Sequence, residues 1–386
     1  MRALLILLLL TSAAHAQTVL RRRVRVDFYQ GPIVSSSRVV GMGGAYVSVA
    51  EGADGQLVNP AAFAVRSAYA ADDWYDWDVG FSWLNLGHGD IDLDQSGSSA
   101  DFEEATLFQV GFNLKFGRHG GGLQLAGQQY TLQQEVGLEA ARIRYGQTLG
   151  GPGYAYAFMD GELTVGILVL GGTAQVDRLS DNHTVAQVTG AGSLLGALYA
   201  PFDAPWRVGA TLRSEIVGKD FSGEPTALDR LVPTELVVPW EIAVGYSRLW
   251  GDRIYNRRPT FGDEGATPAP LGGRRSLLAS ADLLLTGPVE DGVSASAFVG
   301  GTPHTSGAQP TLSLRLGAES ELLADLLTLR AGGYYEPSRL AVNEGRWHGT
   351  AGADLHYELG WHWKIAAVLD VAEGYRNWGL GLGFWH

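Results

Sequence analysis

Phe108-Gln109-Val110-Gly111-Phe112-Asn113-Leu114-Lys115-Phe116 decides the fold. Phe108, Val110, Phe112, Leu114 and Phe116 fall on one side of an extended chain, and Gln109, Gly111, Asn113 and Lys115 on the other. Successive side chains of a strand point to opposite faces, so this alternation marks a strand with one apolar and one polar face. The pattern recurs from Trp74 onward. Trp206, Val208, Ala210 and Leu212 oppose Arg207, Gly209, Thr211 and Arg213, and Leu312, Leu314 and Leu316 oppose Ser313, Arg315 and Gly317. Trp378, Leu380, Leu382 and Phe384 alternate with glycines. About fourteen such segments fit between residue 74 and the C-terminus.

Alternation alone does not say which face meets water. A soluble sandwich turns its apolar face inward, and an outer-membrane barrel turns it to lipid. Three features favour the barrel. Met1-Arg2, the apolar run Ala3 to Leu10 and Ala14-His15-Ala16 form an export signal that ends at residue 16. Trp74, Trp206, Trp240, Trp347, Trp361 and Trp378 stand at strand ends, where an interfacial girdle belongs. The polar faces carry Glu215, Glu241, Arg315, Arg330, Asp354, Lys364 and Asp370, which suit a wet lumen. The apolar run is too short for a membrane-spanning helix. Long polar connections at 87–106, 174–189, 218–235, 287–309 and 336–346 alternate with short ones, as expected for outer loops and periplasmic turns. The Pro-rich connection at 250–274 breaks that rule, and the strand around 150–153 is poorly defined.

Composition narrows the function. The 386 residues include 53 glycines, roughly twice the usual share, with no triplet period. A net charge of −13 excludes nucleic acid as a partner, because phosphate binding needs a concentrated basic face. Without cysteine there is neither a lipoprotein anchor nor a thiolate metal site. Asp354, His356 and Glu358 share a face, but they read as lumen polarity rather than a metal or acid–base site. Ser313 near His348 or His356 is a conceivable nucleophile–base pair. No catalytic residue, metal or cofactor is expected. The expected surroundings are outer-membrane lipid and lipopolysaccharide.

Residues 17–72 stay outside the alternation and carry an ordered motif. Ser36 to Phe63 includes Gly41, Gly43, Gly44, Ala45, Ala53, Asp54, Asn59, Pro60 and Ala61. This glycine-rich G-x-G-x-A stretch, Ala-Asp pair and Asn-Pro-Ala resemble the N-terminal hatch of the FadL family of long-chain fatty acid and hydrocarbon transporters. Leu329-Arg330-Ala331-Gly332-Gly333-Tyr334-Tyr335-Glu336-Pro337-Ser338 resembles a late strand of that family. The resemblance implies a monomeric barrel over 73–386, plugged by 17–72, that passes an apolar small molecule inward and releases it sideways at a kinked strand. Gly41, Gly43, Gly44, Ala45, Asp54, Asn59, Pro60 and Ala61 would then serve the plug and its gating. Gly127, inside an otherwise regular strand, is the expected kink. Leu228, Leu231, Val232, Val237, Val238 and Trp240 are the expected apolar capture site. PorV-like secretion adaptors share the hatch pattern, so a barrel that binds a protein partner is the alternative.

Overall fold

A computed structural model describes residues 25–28, 31–65, 75–86, 89–91, 95, 100–136, 139–222, 235–258, 272–294, 304–323, 326–340 and 344–385. The expected export signal at 1–16 lies outside them. Fourteen antiparallel strands form the wall: β1 (Tyr75–Leu86), β2 (Ala100–Phe116), β3 (His119–Val136), β4 (Glu139–Phe158), β5 (Leu163–Arg178), β6 (His183–Tyr199) and β7 (Trp206–Arg213) make one half. The other half is β8 (Glu241–Arg253), β9 (Gly272–Thr286), β10 (Thr311–Leu323), β11 (Leu327–Glu336), β12 (Arg346–Leu359), β13 (Trp361–Ala372) and β14 (Tyr375–Trp385). Each strand pairs with its chain neighbours, and β14 pairs back onto β1, with Val79 opposite Phe384. Closure satisfies every strand edge, which a sheet in hydrocarbon requires.

The wall is inside out relative to a soluble domain. On β3, Leu123 is 58% exposed while the next residue, Gln124, is 2% exposed. On β2, Phe112 is 39% exposed and Asn113 only 4%. The apolar face of the alternation therefore looks outward, as a lipid-facing belt does. Trp347, Trp361 and Trp378 are on that outer face. Trp240 is not: its indole packs over Gly287 beside an outer loop.

Two expectations about the strands change. The stretches 100–106, 174–178 and 183–189 were expected in loops, but belong to β2, β5 and β6. β4 also runs unbroken as a strand through 150–153 and reaches 20 residues. About 9–11 residues cross a bilayer as a tilted strand, so these strands stand well above it. Polar residues pair as well there as in the membrane, so polarity did not end the strands.

The N-terminal segment fills the lumen. Strand Arg25–Asp27 lies parallel between Glu235–Val238 and Gly292–Ser294, and Ile216–Gly218 adds the fourth strand of a small inner sheet near the outer loops. Below it follow helix α1 (Ser37–Gly41), helix α2 (Gly52–Gly55) and a 3-10 turn at Pro60–Phe63. Ser36 caps α1 by accepting from the Val39 amide at 3.3 Å.

The wall makes room for this segment by lacking side chains where the hatch touches it. A Cβ at Gly332 would lie 2.4 Å from the Gly43 nitrogen, one at Gly317 2.3 Å from the Met42 oxygen, and one at Gly209 2.2 Å from the Val47 oxygen. At Gly349 a Cβ would meet nothing within 4 Å. We therefore predict that Gly332→Val destabilises the folded barrel by about 1–3 kcal/mol, as overpacking does. Gly349→Val should leave the urea midpoint in detergent unchanged. Equal midpoints for the two variants would contradict the close fit.

Candidate functional site

The hatch is fastened by charge. Arg38 of α1 donates to Glu319 of β10 at 2.7 and 2.8 Å and to Glu51 of the hatch at 3.1 Å. Glu51 also accepts from Arg207 of β7 at 3.0 Å. Arg330 of β11 bridges Glu319 and Asp354, at 2.5 and 2.6 Å. These six side chains form one buried line across the lumen from β7 to β12. Burial pushes the pKa of Arg38 down, but the facing carboxylates, Glu319 foremost, more than offset this and hold it above the usual arginine range. Asp282 of β9 accepts from the Tyr46 and Val47 amides at 2.6 and 2.8 Å. Asp78 of β1 accepts from the Ala53 amide, and Lys364 of β13 pairs with Asp54.

The Asn-Pro-Ala motif docks on β4, β5 and β6. Asn59 accepts from the Ala61 amide at 3.0 Å and donates to the Val47 carbonyl at 2.8 Å and the Ala197 carbonyl at 3.1 Å. Pro60 opens the 3-10 turn, where its missing N–H costs nothing. A Cβ at Gly196 would lie 2.0 Å from the Asn59 side-chain oxygen, and one at Gly166 2.4 Å from the Pro60 carbonyl oxygen. Phe63 is fully buried, and its ring occupies the space a Cβ at Gly153 would need. Gly41 lies against Gly352, Gly43 and Gly44 turn with φ of +60° and +74°, and Ala45 is fully buried.

The expected kink is not at Gly127. Pairing is continuous through Phe108↔Gly127 on one side and Gly127↔Thr148 on the other. Gly127 shares the outer face with Phe108, whose ring lies where its Cβ would be, so the glycine is explained by a cross-strand contact. The ladder lapses instead between β4 and β5. Gly150 pairs with Gly171 and Gly153 with Leu168, but Gly151 and Pro152 have no partner on β5. Proline has no N–H to donate. Among the described residues this is the one mid-strand lapse, and it lies where Phe63 meets Gly153.

The lumen has two chemically different parts. Phe63, Leu149, Leu168, Leu170, Leu194, Ile216, Val238, Val26 and Phe28 belong to one apolar cluster, which links the inner sheet to the β4–β5 lapse. Toward the end with the short turns, the hatch overlies a cavity of about 50 Å³ lined by Asp54, Asp78, His356, Lys364 and Trp385. That volume suits a few waters. Of the expected capture site, Leu228, Leu231 and Val232 lie outside the described residues. Val237 and Val238 are buried in the inner sheet rather than open to the outside. Just after β8 the chain turns into the lumen mouth: Asn256 accepts from Arg207 at 2.8 Å, and the Tyr255 hydroxyl lies 2.7 Å from Ser247.

Ser313 and His348 each bond to other partners. Ser313 donates to the Tyr335 carbonyl at 2.6 Å, and the His348 ring bonds Asp370 and Glu336 at 2.8 and 2.7 Å. The charge line that fastens the hatch could not be read in sequence, because its bonded partners lie up to 281 positions apart. Its importance is testable. Glu51→Gln strands the buried Arg207 charge, so a loss of about 3–5 kcal/mol is expected, the range for breaking a buried pair. The double variant Glu51→Gln/Arg207→Met should recover part of it in the same urea titration. Asn59→Ala removes the partner of the Ala61 amide and one hydrogen bond each to the buried Val47 and half-buried Ala197 carbonyls, with an expected cost of about 1–3 kcal/mol. Faster protease cleavage within the hatch would accompany both, and an unchanged rate would count against the fastening.

No family model and no curated protein matches the chain in sequence. Solved structures do match it. A Pseudomonas aeruginosa FadL homologue covers 91% of this chain and 97% of its own, with 14% identity and a TM-score of 0.51. The Ralstonia pickettii toluene transporter TbuX covers 93% and 99%, with 15% identity and a TM-score of 0.56. The toluene transporter TodX of P. putida covers 92% and 99%, with 14% identity and a TM-score of 0.55. From the inner strand to the last barrel strand, this chain has the fold of the FadL-type channels.

Proposed function

We propose that this protein is a bacterial outer-membrane channel, exported by its N-terminal signal, that carries hydrophobic or amphipathic small molecules inward without an energy source. The single observation that carries this reading is the apolar cluster that runs from the inner sheet to the β4–β5 lapse, with Phe63 at its foot. A straight route is unfavourable for an apolar solute, because the cavity beneath the hatch is lined by charge. A sideways route costs less: at the lapse, two residues give up no ladder hydrogen bond when the strands part. The exit is therefore assigned to the β4–β5 seam rather than to β3. Val238 stands at the upper end of the path, and rotation of Phe63 opens its lower end. The chemistry of the path selects for apolarity, so long-chain fatty acids and small aromatics such as toluene are both candidates. The alternative, an adaptor for a protein partner, has less support. The long connection at 250–274 is where a periplasmic partner would bind, and within it Tyr255 and Asn256 are committed to the lumen mouth.

The chain has no native cysteine, so the seam can be locked cleanly. Pro152 and Val169 are both exposed on the outer face and stand opposite each other across the lapse. The pair Pro152→Cys/Val169→Cys should form a disulfide, since residues opposite across strands fall within its reach. In cells fed labelled oleate or toluene, oxidation should reduce uptake to the level of cells without the protein, and reductant should restore it. Undiminished uptake with the crosslink formed would rule out this exit. Loss of neither substrate in a strain lacking the protein would rule out the transport reading itself.

A further inference from the structure

The outer face of β8 reads Ile242, Val244, Tyr246, Arg248 and Trp250. Arg248 therefore points toward lipid, where an arginine is costly at the bilayer centre and far less so near the interface. It pairs in register with Trp206, the first residue of β7, which sets it close to the short-turn end. Its guanidinium lies 5.5 Å from the centre of the Trp250 ring. Among the described residues it has no carboxylate partner.

Beside Arg248 the wall is hollow. A groove of about 540 Å³ runs over Ala279, Ala281, Ala318 and Ala331, between Tyr246 and Trp250 on one side and Leu316 on the other. The alanines are contiguous: Ala279 stands opposite Ala318, and Ala318 opposite Ala331. The floor is backed from the lumen, where Met42 and Gly43 press on Gly317 and Gly332. It cannot sink inward without moving the hatch. The result is a fixed apolar trough with one unpaired cation and two amphipathic rings at its edge.

We propose that this trough holds a phospholipid of the periplasmic leaflet, with its phosphate on Arg248 and an acyl chain along the alanines. A guanidinium recognises phosphate by paired hydrogen bonds, and Trp and Tyr favour the headgroup level. A chain of methylenes fills a trough that has no polar group to satisfy. A second copy of the protein fits less well. Two copies meeting here about an axis along the membrane normal would bring their Arg248 groups to the same level, with like charges facing.

The test uses the whole barrel in detergent, titrated with dioleoylphosphatidylglycerol or with dioleoylglycerol, and read by native mass spectrometry. Heat-modifiable gel mobility verifies that each variant is folded. The wild type should retain one phosphatidylglycerol under activation that strips dioleoylglycerol. Arg248→Gln should lower the bound fraction about tenfold, the worth of one charge-assisted hydrogen bond. Arg248→Lys should keep most of it. Ala318→Phe, which fills the trough and leaves Arg248 in place, should abolish it. Arg376→Gln, on the outer face of β14, should have no effect. Equal retention by all variants would mean ordinary annular lipid and overturn the proposal. A dimer peak that Ala318→Phe removes would overturn it in favour of a second copy.

Discussion

The backbone of the hatch lies directly on the backbone of the wall, and most of the architecture follows from that close approach. A fourteen-stranded barrel encloses more space than its own inward side chains fill. The hatch fills the rest only because lumen positions such as Gly209, Gly317 and Gly332 present no side chain. Glycine weakens a strand by its entropy and missing contacts. Here the loss is offset by the contacts each one admits. The glycine-rich composition is thus a property of the lumen as well as of the turns.

Close packing seats the hatch, and charge fixes its orientation. Asp282 and Asp78 accept from hatch amides, and the line from Arg207 through Glu51, Arg38, Glu319 and Arg330 to Asp354 ties opposite walls to the hatch. Buried ions stabilise little when paired and cost much when separated. Such a line therefore resists displacement of the hatch more than it adds to net stability. It also divides the lumen. Charge gathers beneath the hatch and apolar side chains gather beside β4, β5 and β6, so the two regions offer opposite environments to one solute.

Much of this was legible from neighbouring residues. The alternation in Phe108 to Phe116 located β2, and similar stretches gave the number of strands. The segment around Asn59, Pro60 and Ala61 marked the hatch by its resemblance to a known plug. Gly127 shows where such reading stops. A glycine inside a strand signals some close contact, but only the register reveals that the contact is the ring of Phe108. The lapse belongs to Pro152, whose stretch is so rich in glycine that its alternation is blurred. Val237 and Val238 are expected from sequence in an open capture site, yet they form a buried strand because Arg25–Asp27 pairs beside them.

Sequence by itself determined that this chain makes strands with two unlike faces, in a number that closes a barrel, preceded by a segment of different character. A period of two is a local property, written in adjacent residues. Tertiary structure alone decided which glycine meets which hatch atom, which arginine meets which carboxylate, and where the ladder gives way. Those depend on the stagger of fourteen strands around a closed circuit. A slip of one residue at any pairing would exchange the two faces of a strand, so the circuit is set only as a whole.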